Sequence, residues 1–141
     1  MFPELITELL QDGYSVNFSA PGHSMYPTIM ANEKIVVAPI DPATVRMGDI
    51  ILYRTNGHLI AHRVTLINKL NNDALPTYPD WSFILKGDAL PTYDEPVKDE
   101  QILGKVISIE RNGCRIDPYS ITHKLGCLAQ RLTSRFKAIL N

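Results

Sequence analysis

Ser24 stands in the stretch APGHSMYPTI, residues 20–29, a loop built on one glycine and two prolines, and no Asp, Glu, Lys or Arg occurs from Gly13 to Asn32. A loop that is merely solvated ordinarily carries charge, so an uncharged loop around a hydroxyl suggests a surface shaped for a ligand. A serine hydroxyl is a poor nucleophile until a base takes its proton and nearby donors hold the oxyanion. His62 is the candidate base. On a strand, Ile60, His62, Val64 and Leu66 share one face, which sets an imidazole on an otherwise apolar surface. A core histidine bonded to a backbone carbonyl would look the same, so Ser24 and His62 carry meaning only as a pair. Asp88 and Asp94 follow the run Ser82 to Lys86 and are the candidates to orient the imidazole as the third member of a triad. Gly87-Asp88 also fits ordinary turn chemistry. Backbone amides of Gly22, His23 and Ser24 are the candidate oxyanion donors.

Other chemistries are cut down by spacing. His58 and His62 would chelate zinc on a helix, but on a strand they stand about 13 Å apart, beyond the reach of one ion. A nucleophile elbow needs glycine two residues to either side of the serine; Gly22 fits and Tyr26 does not. There is no glycine-rich phosphate loop, so no nucleotide or other cofactor and no metal is expected. The formal charge of the 141-residue chain is -1, which gives no electrostatic pull toward nucleic acid. Two cysteines, Cys114 and Cys127, are too few for a disulfide framework; free thiols in a reducing, cytoplasmic setting are the simpler expectation, with one bridge the alternative. The start MFPELITELLQDG lacks a basic lead and a sustained apolar run, so no secretory signal is expected. The uncharged window from Gly13 to Asn32 holds too many polar and proline residues to cross a bilayer.

The elements that must position these residues are mostly strands. Phe2, Leu5, Ile6, Leu9 and Leu10 recur at helical spacing before Gly13, predicting a short helix over about 3–12. YSVNFS alternates as a strand, and KIVVAPI is a buried strand ended by prolines. DIILYR, Asn56-Gly57 and HLIAHRVTLI form the clearest local signal, two β-rich runs joined by a preferred hairpin turn. A polar excursion from Asn68 to Asp80 follows, then strands SFILK, ILGKVISIE and, after Asn112-Gly113, CRI. The hexapeptide DALPTY occurs at 73–78 and again at 88–93, and only the second copy follows Lys86-Gly87; a local duplication is the simplest account. Beyond Asp117 there is no acidic residue, while Ile121, Leu125, Leu128, Leu132, Phe136 and Ile139 make a stripe beside Lys124, Arg131, Arg135 and Lys137. A basic amphipathic helix over about 118–140 is predicted; it could dock on its own domain or give peripheral contact with an anionic membrane. The whole reads as a single mainly β domain, with a core over about 14–116 between two helices.

The order GHSMYPT, MGDIILYR, AHRV, LKGDAL followed by an aspartate, and ILGKV resembles the signal peptidase superfamily of serine peptidases, which includes the self-cleaving LexA-type repressors. The likeness runs from about Ser19 to Glu110. It implies a signal-peptidase-like β core and, because His62 falls where the endoplasmic-reticulum and archaeal branch places histidine, Ser24 as nucleophile, His62 as base and Asp88 or Asp94 as acidic support. The chain departs from the family in having Gly22 where some bacterial members use a serine hydroxyl in the oxyanion hole, and Asn32-Glu33 where Gly-Asp is common. The expected activity is that of a serine endopeptidase on a peptide or protein precursor, cut after small residues. The rival is a non-catalytic module holding an extended peptide beside Ser24 by strand addition. A third variant uses Lys86 or Lys105 as base.

Overall fold

The computed structural model describes residues 3–70 and 80–120. Its elements in chain order are helix α1 (Pro3–Gln11) and strands β1 (Val16–Ser19), β2 (Lys34–Pro39), β3 (Ile50–Thr55), β4 (His58–Leu70), β5 (Asp80–Lys86), β6 (Val97–Lys98), β7 (Ile102–Arg111) and β8 (Cys114–Ile116). The strands join in one antiparallel sheet in the order β1-β2-β7-β3-β4-β5-β6, with β8 paired to β7. The mainly β expectation therefore holds, with an N-terminal helix where the apolar spacing put it.

Helix α1 buries Ile6 and Leu10 against the sheet. Gly13 ends it: at φ +92° the chain reverses, and the Tyr14 N–H closes onto the Leu9 carbonyl at 2.9 Å, a left-handed helix stop that glycine adopts without steric cost. The central hairpin is set by Asn56 and Gly57, both at positive φ, the two-residue turn whose twist matches that of its strands. It fixes Tyr53 opposite Ile60 and Ile51 opposite His62.

Strand β3 lies inside the sheet and is buried on both faces. Ile50 and Leu52 join the core under α1, β1, β2 and β7, while Ile51 and Tyr53 join a second core with Val64, Phe83, Leu85 and Val97. This explains why IILY is a continuous apolar run rather than an alternating one. Register shifts in β2, β3 and β4 bend the sheet around these cores, as bulges do.

Several expectations are corrected. Leu66 does not share the face of His62 and Val64: the pairing of β4 with β5 shifts register between Val64 and Leu66, and Leu66 is exposed. Strand β4 continues through Asn68 to Leu70, and Asp80 already belongs to β5, so the excursion is shorter than its polar composition implies; the first DALPTY copy lies outside the described residues. Cys114 is disulfide-bonded rather than a free thiol. Asp117 heads a turn, accepting the Tyr119 N–H on its side chain and the Ser120 N–H on its carbonyl. The remainder of the predicted C-terminal helix, 121–140, lies outside the described residues. Among the described residues no helix is long and apolar enough to cross a membrane.

Candidate active site

The serine loop between β1 and β2 is held from both ends and from behind. The Ala20 N–H donates to the Glu33 carbonyl and the Asn32 N–H to the Ala20 carbonyl, closing the neck of the loop at 2.9 and 2.8 Å. Inside, Met25 and Ile29 are buried in the first core, so the residue after Ser24 anchors it. Arg111 on β7 grips Glu33 with two hydrogen bonds and donates a third, of 3.1 Å, to the Thr28 carbonyl.

On the far side, the segment after β5 meets the loop. The Ala89 N–H donates to the Ser24 carbonyl at 2.9 Å, and the Asp88 N–H approaches the Met25 sulfur at 3.3 Å. Gly87 makes this approach feasible: a methyl group there would stand 2.5 Å from the Ser24 carbonyl oxygen and 3.1 Å from His62 Nε2. The second copy of DALPTY is therefore a clamp on the serine.

The chemistry-bearing side chains converge. Ser24 Oγ is 3.0 Å from His62 Nε2, and His62 Nδ1 is 2.5 Å from Asp94 Oδ2. His62 is buried, while Ser24 and Asp94 are half-buried. Strand β4 places the imidazole, and the Asp94 N–H bonded to the Leu85 carbonyl at 2.8 Å folds the segment after β5 back under it. Asp94 is thus the carboxylate that meets the histidine.

Asp88 is not. Arg63, next to His62 on β4 and pointing the other way, binds both its carboxylate oxygens at 2.9 Å, and the Thr28 hydroxyl donates to it at 2.7 Å. Burial opposes ionisation of Asp88, but these hydrogen bonds and the charges of Arg63 and Lys86 outweigh it and hold the carboxyl below its ordinary range. Its role is to tie the serine loop to β4. Lys105 is paired with Asp49 at 3.1 Å and lies over the Tyr119 ring. The only hydrogen bond of the Ser24 side chain among the described residues is to His62. Neither Lys86 nor Lys105 hydrogen-bonds the Ser24 side chain.

The amides expected as oxyanion donors are free to act. Gly22 sits at φ +88°, and the N–H groups of Gly22, His23, Ser24 and Met25 donate to no other described residue. Beside them opens a cavity of about 200 Å³ whose lining includes Phe18, Ile35, Leu52 and Leu59 together with Ser24 and His62. No charged side chain lines it.

Comparison of the chain with protein-family models and with curated proteins finds no match. Sequence reasoning missed Tyr53, whose hydroxyl donates to Asp94 Oδ2 at 2.8 Å, and the Arg63 and Thr28 contacts of Asp88. The hairpin register, readable from Asn56-Gly57, could have put Tyr53 on the face of His62. Nothing local marks Thr28 as a partner of a residue 60 positions away.

Proposed function

We propose that this chain is a serine endopeptidase of the signal-peptidase type, acting on an extended peptide or protein precursor. The observation that carries the reading is the line Ser24 Oγ, His62 Nε2, His62 Nδ1, Asp94 Oδ2, joined at 3.0 and 2.5 Å, the order of contacts that activates a serine hydroxyl. Its support is threefold: unengaged amides beside the hydroxyl, an apolar cavity adjoining it, and the resemblance of the sequence boxes.

In this mechanism His62 Nε2 accepts the Ser24 proton as Oγ attacks the scissile carbonyl, while the Nδ1–H donates to Asp94, which holds the ring and stabilises the imidazolium. The loop amides receive the oxyanion of the tetrahedral intermediate. The imidazolium then gives its proton to the leaving amine, and water activated by the regenerated base releases the acyl group. The cavity takes an uncharged side chain of the peptide, because a charged one would lose its hydration with no partner in the lining.

The test is cleavage of an uncharged fluorogenic peptide library, with reaction at Ser24 read by mass spectrometry after a fluorophosphonate probe. Cleavage and labelling are expected in the parent chain, and Ser24→Ala and His62→Ala should each lower kcat by roughly 10⁴-fold or more, as in other triads. Peptide binding without turnover, unchanged in Ser24→Ala, would replace the enzyme with a binding module.

A further inference from the structure

Tyr53 belongs to the second core and is 2 % exposed, yet it carries a hydroxyl, and a buried hydroxyl is costly unless it has a partner. Its hydrogen bond is to Asp94 Oδ2, the same oxygen that meets His62 Nδ1. Because Tyr53 is opposite Ile60 and Ile51 opposite His62, Tyr53 and His62 are diagonal neighbours on one face of the hairpin. Asp94 arrives from the segment after β5 and is pinned between them.

We propose that Tyr53 is a positioning residue of the Ser24–His62–Asp94 arrangement that acts through Asp94, dispersing part of the carboxylate charge so that His62 faces a tempered anion. Burial first, and then the neighbouring carboxylate, push the Tyr53 phenol above its ordinary range, so it stays a donor across the working pH range. The groups facing the imidazole are Asp94 on Nδ1 and the Ser24 hydroxyl on Nε2. Arg63 beside it on β4 is engaged by Asp88, and Lys86 lies opposite Arg63 on β5. Removing the phenol hydroxyl leaves Asp94 a stronger partner for the imidazolium, so His62 keeps its proton to higher pH.

This inference deepens the peptidase reading but is tested without turnover. The His62 ring protons are titrated by NMR in the full chain and in Tyr53→Phe, assigned with His62→Gln. The midpoint should rise by about one pH unit, the lower end of the scale of one hydrogen bond to a charged group. The rise should vanish when Tyr53→Phe is made in an Asp94→Ala background, and thermal melting tells whether each variant is folded. Where peptide is cleaved, the acid limb of kcat/KM should move upward with the midpoint. An unchanged or lowered midpoint, or an equal rise in the Asp94→Ala background, overturns the role of Tyr53. A parent chain that cuts no peptide overturns the peptidase reading and leaves the titration to decide this one.

Discussion

Gly87 offers a sharp test of how the site is held together. Building a methyl group on its backbone brings carbon to 2.5 Å from the Ser24 carbonyl oxygen, where a C···O contact of about 3.3 Å is the ordinary lower limit. Gly87→Ala must therefore open the contact by about 0.8 Å, and the atom in the way is backbone that cannot rotate aside. The Ala89 N–H to Ser24 carbonyl bond stretches with it. Overpacking of this kind costs about 1–3 kcal/mol, which for a domain of this size lowers Tm by roughly 3–12 °C. A displacement approaching 1 Å between nucleophile and base costs on the order of 10²-fold in rate. The measurements are a thermal melt, kcat/KM on a cleaved peptide, and the amide shifts of the segments around Ser24 and His62. A Gly87→Ala chain with the parent's Tm and unchanged shifts would refute the idea that the Gly87 clamp seats the serine.

Other outcomes follow from the same contacts. Arg111→Ala removes both bonds to Glu33 and the one to the Thr28 carbonyl, and should cost about 1–3 kcal/mol, read by urea unfolding, with faster amide exchange in residues 20–33. Asp88 titrates below its unfolded value, so its contribution to stability is fully present above about pH 4 and is lost as pH falls through the lowered folded value. Asp88→Asn should accordingly be less stable than the parent at pH 7 and should lose less Tm on going to pH 3. Tyr119→Phe deletes the hydroxyl that accepts from the Ile50 N–H at 3.0 Å and donates to the Val106 carbonyl at 2.6 Å; leaving these groups unpaired should cost about 1–3 kcal/mol in the same unfolding assay.

What the sequence made legible follows from the range over which its signals act. Asn56-Gly57 and Asn112-Gly113 impose positive φ locally, so both hairpin turns could be placed to within a residue, though the far end of β4 could not. The two-sided burial of β3 shows as an unbroken apolar run. Strand β6, two residues long, has no periodicity to read. The β4 bulge is a tertiary accommodation, invisible in the alternation of Val64, Thr65 and Leu66. At the site, Ser24 and His62 could be paired because each is odd in its setting, a hydroxyl in a charge-free loop and an imidazole on an apolar face. The choice between Asp88 and Asp94 could not, since both are acids in one loop and only the fold shows that Arg63 and Thr28 claim the first.

The polar groups that meet Ser24 and grip the Thr28 carbonyl come from later in the chain. His62 lies 38 positions beyond Ser24, Asp94 a further 32 beyond His62, and the arginine that grips the Thr28 carbonyl is 83 residues past it. A nascent polypeptide that has left the ribosome only as far as β4 holds a serine and a histidine but no carboxylate behind the ring, no Ala89 clamp and no arginine at its back. The Ser24–His62–Asp94 arrangement accordingly needs the chain through Asp94, and the arginine behind the loop needs β7, which lies between β2 and β3 in the sheet. A chain that stops short of Asp94 therefore holds the Ser24 hydroxyl beside a histidine with no carboxylate behind its ring.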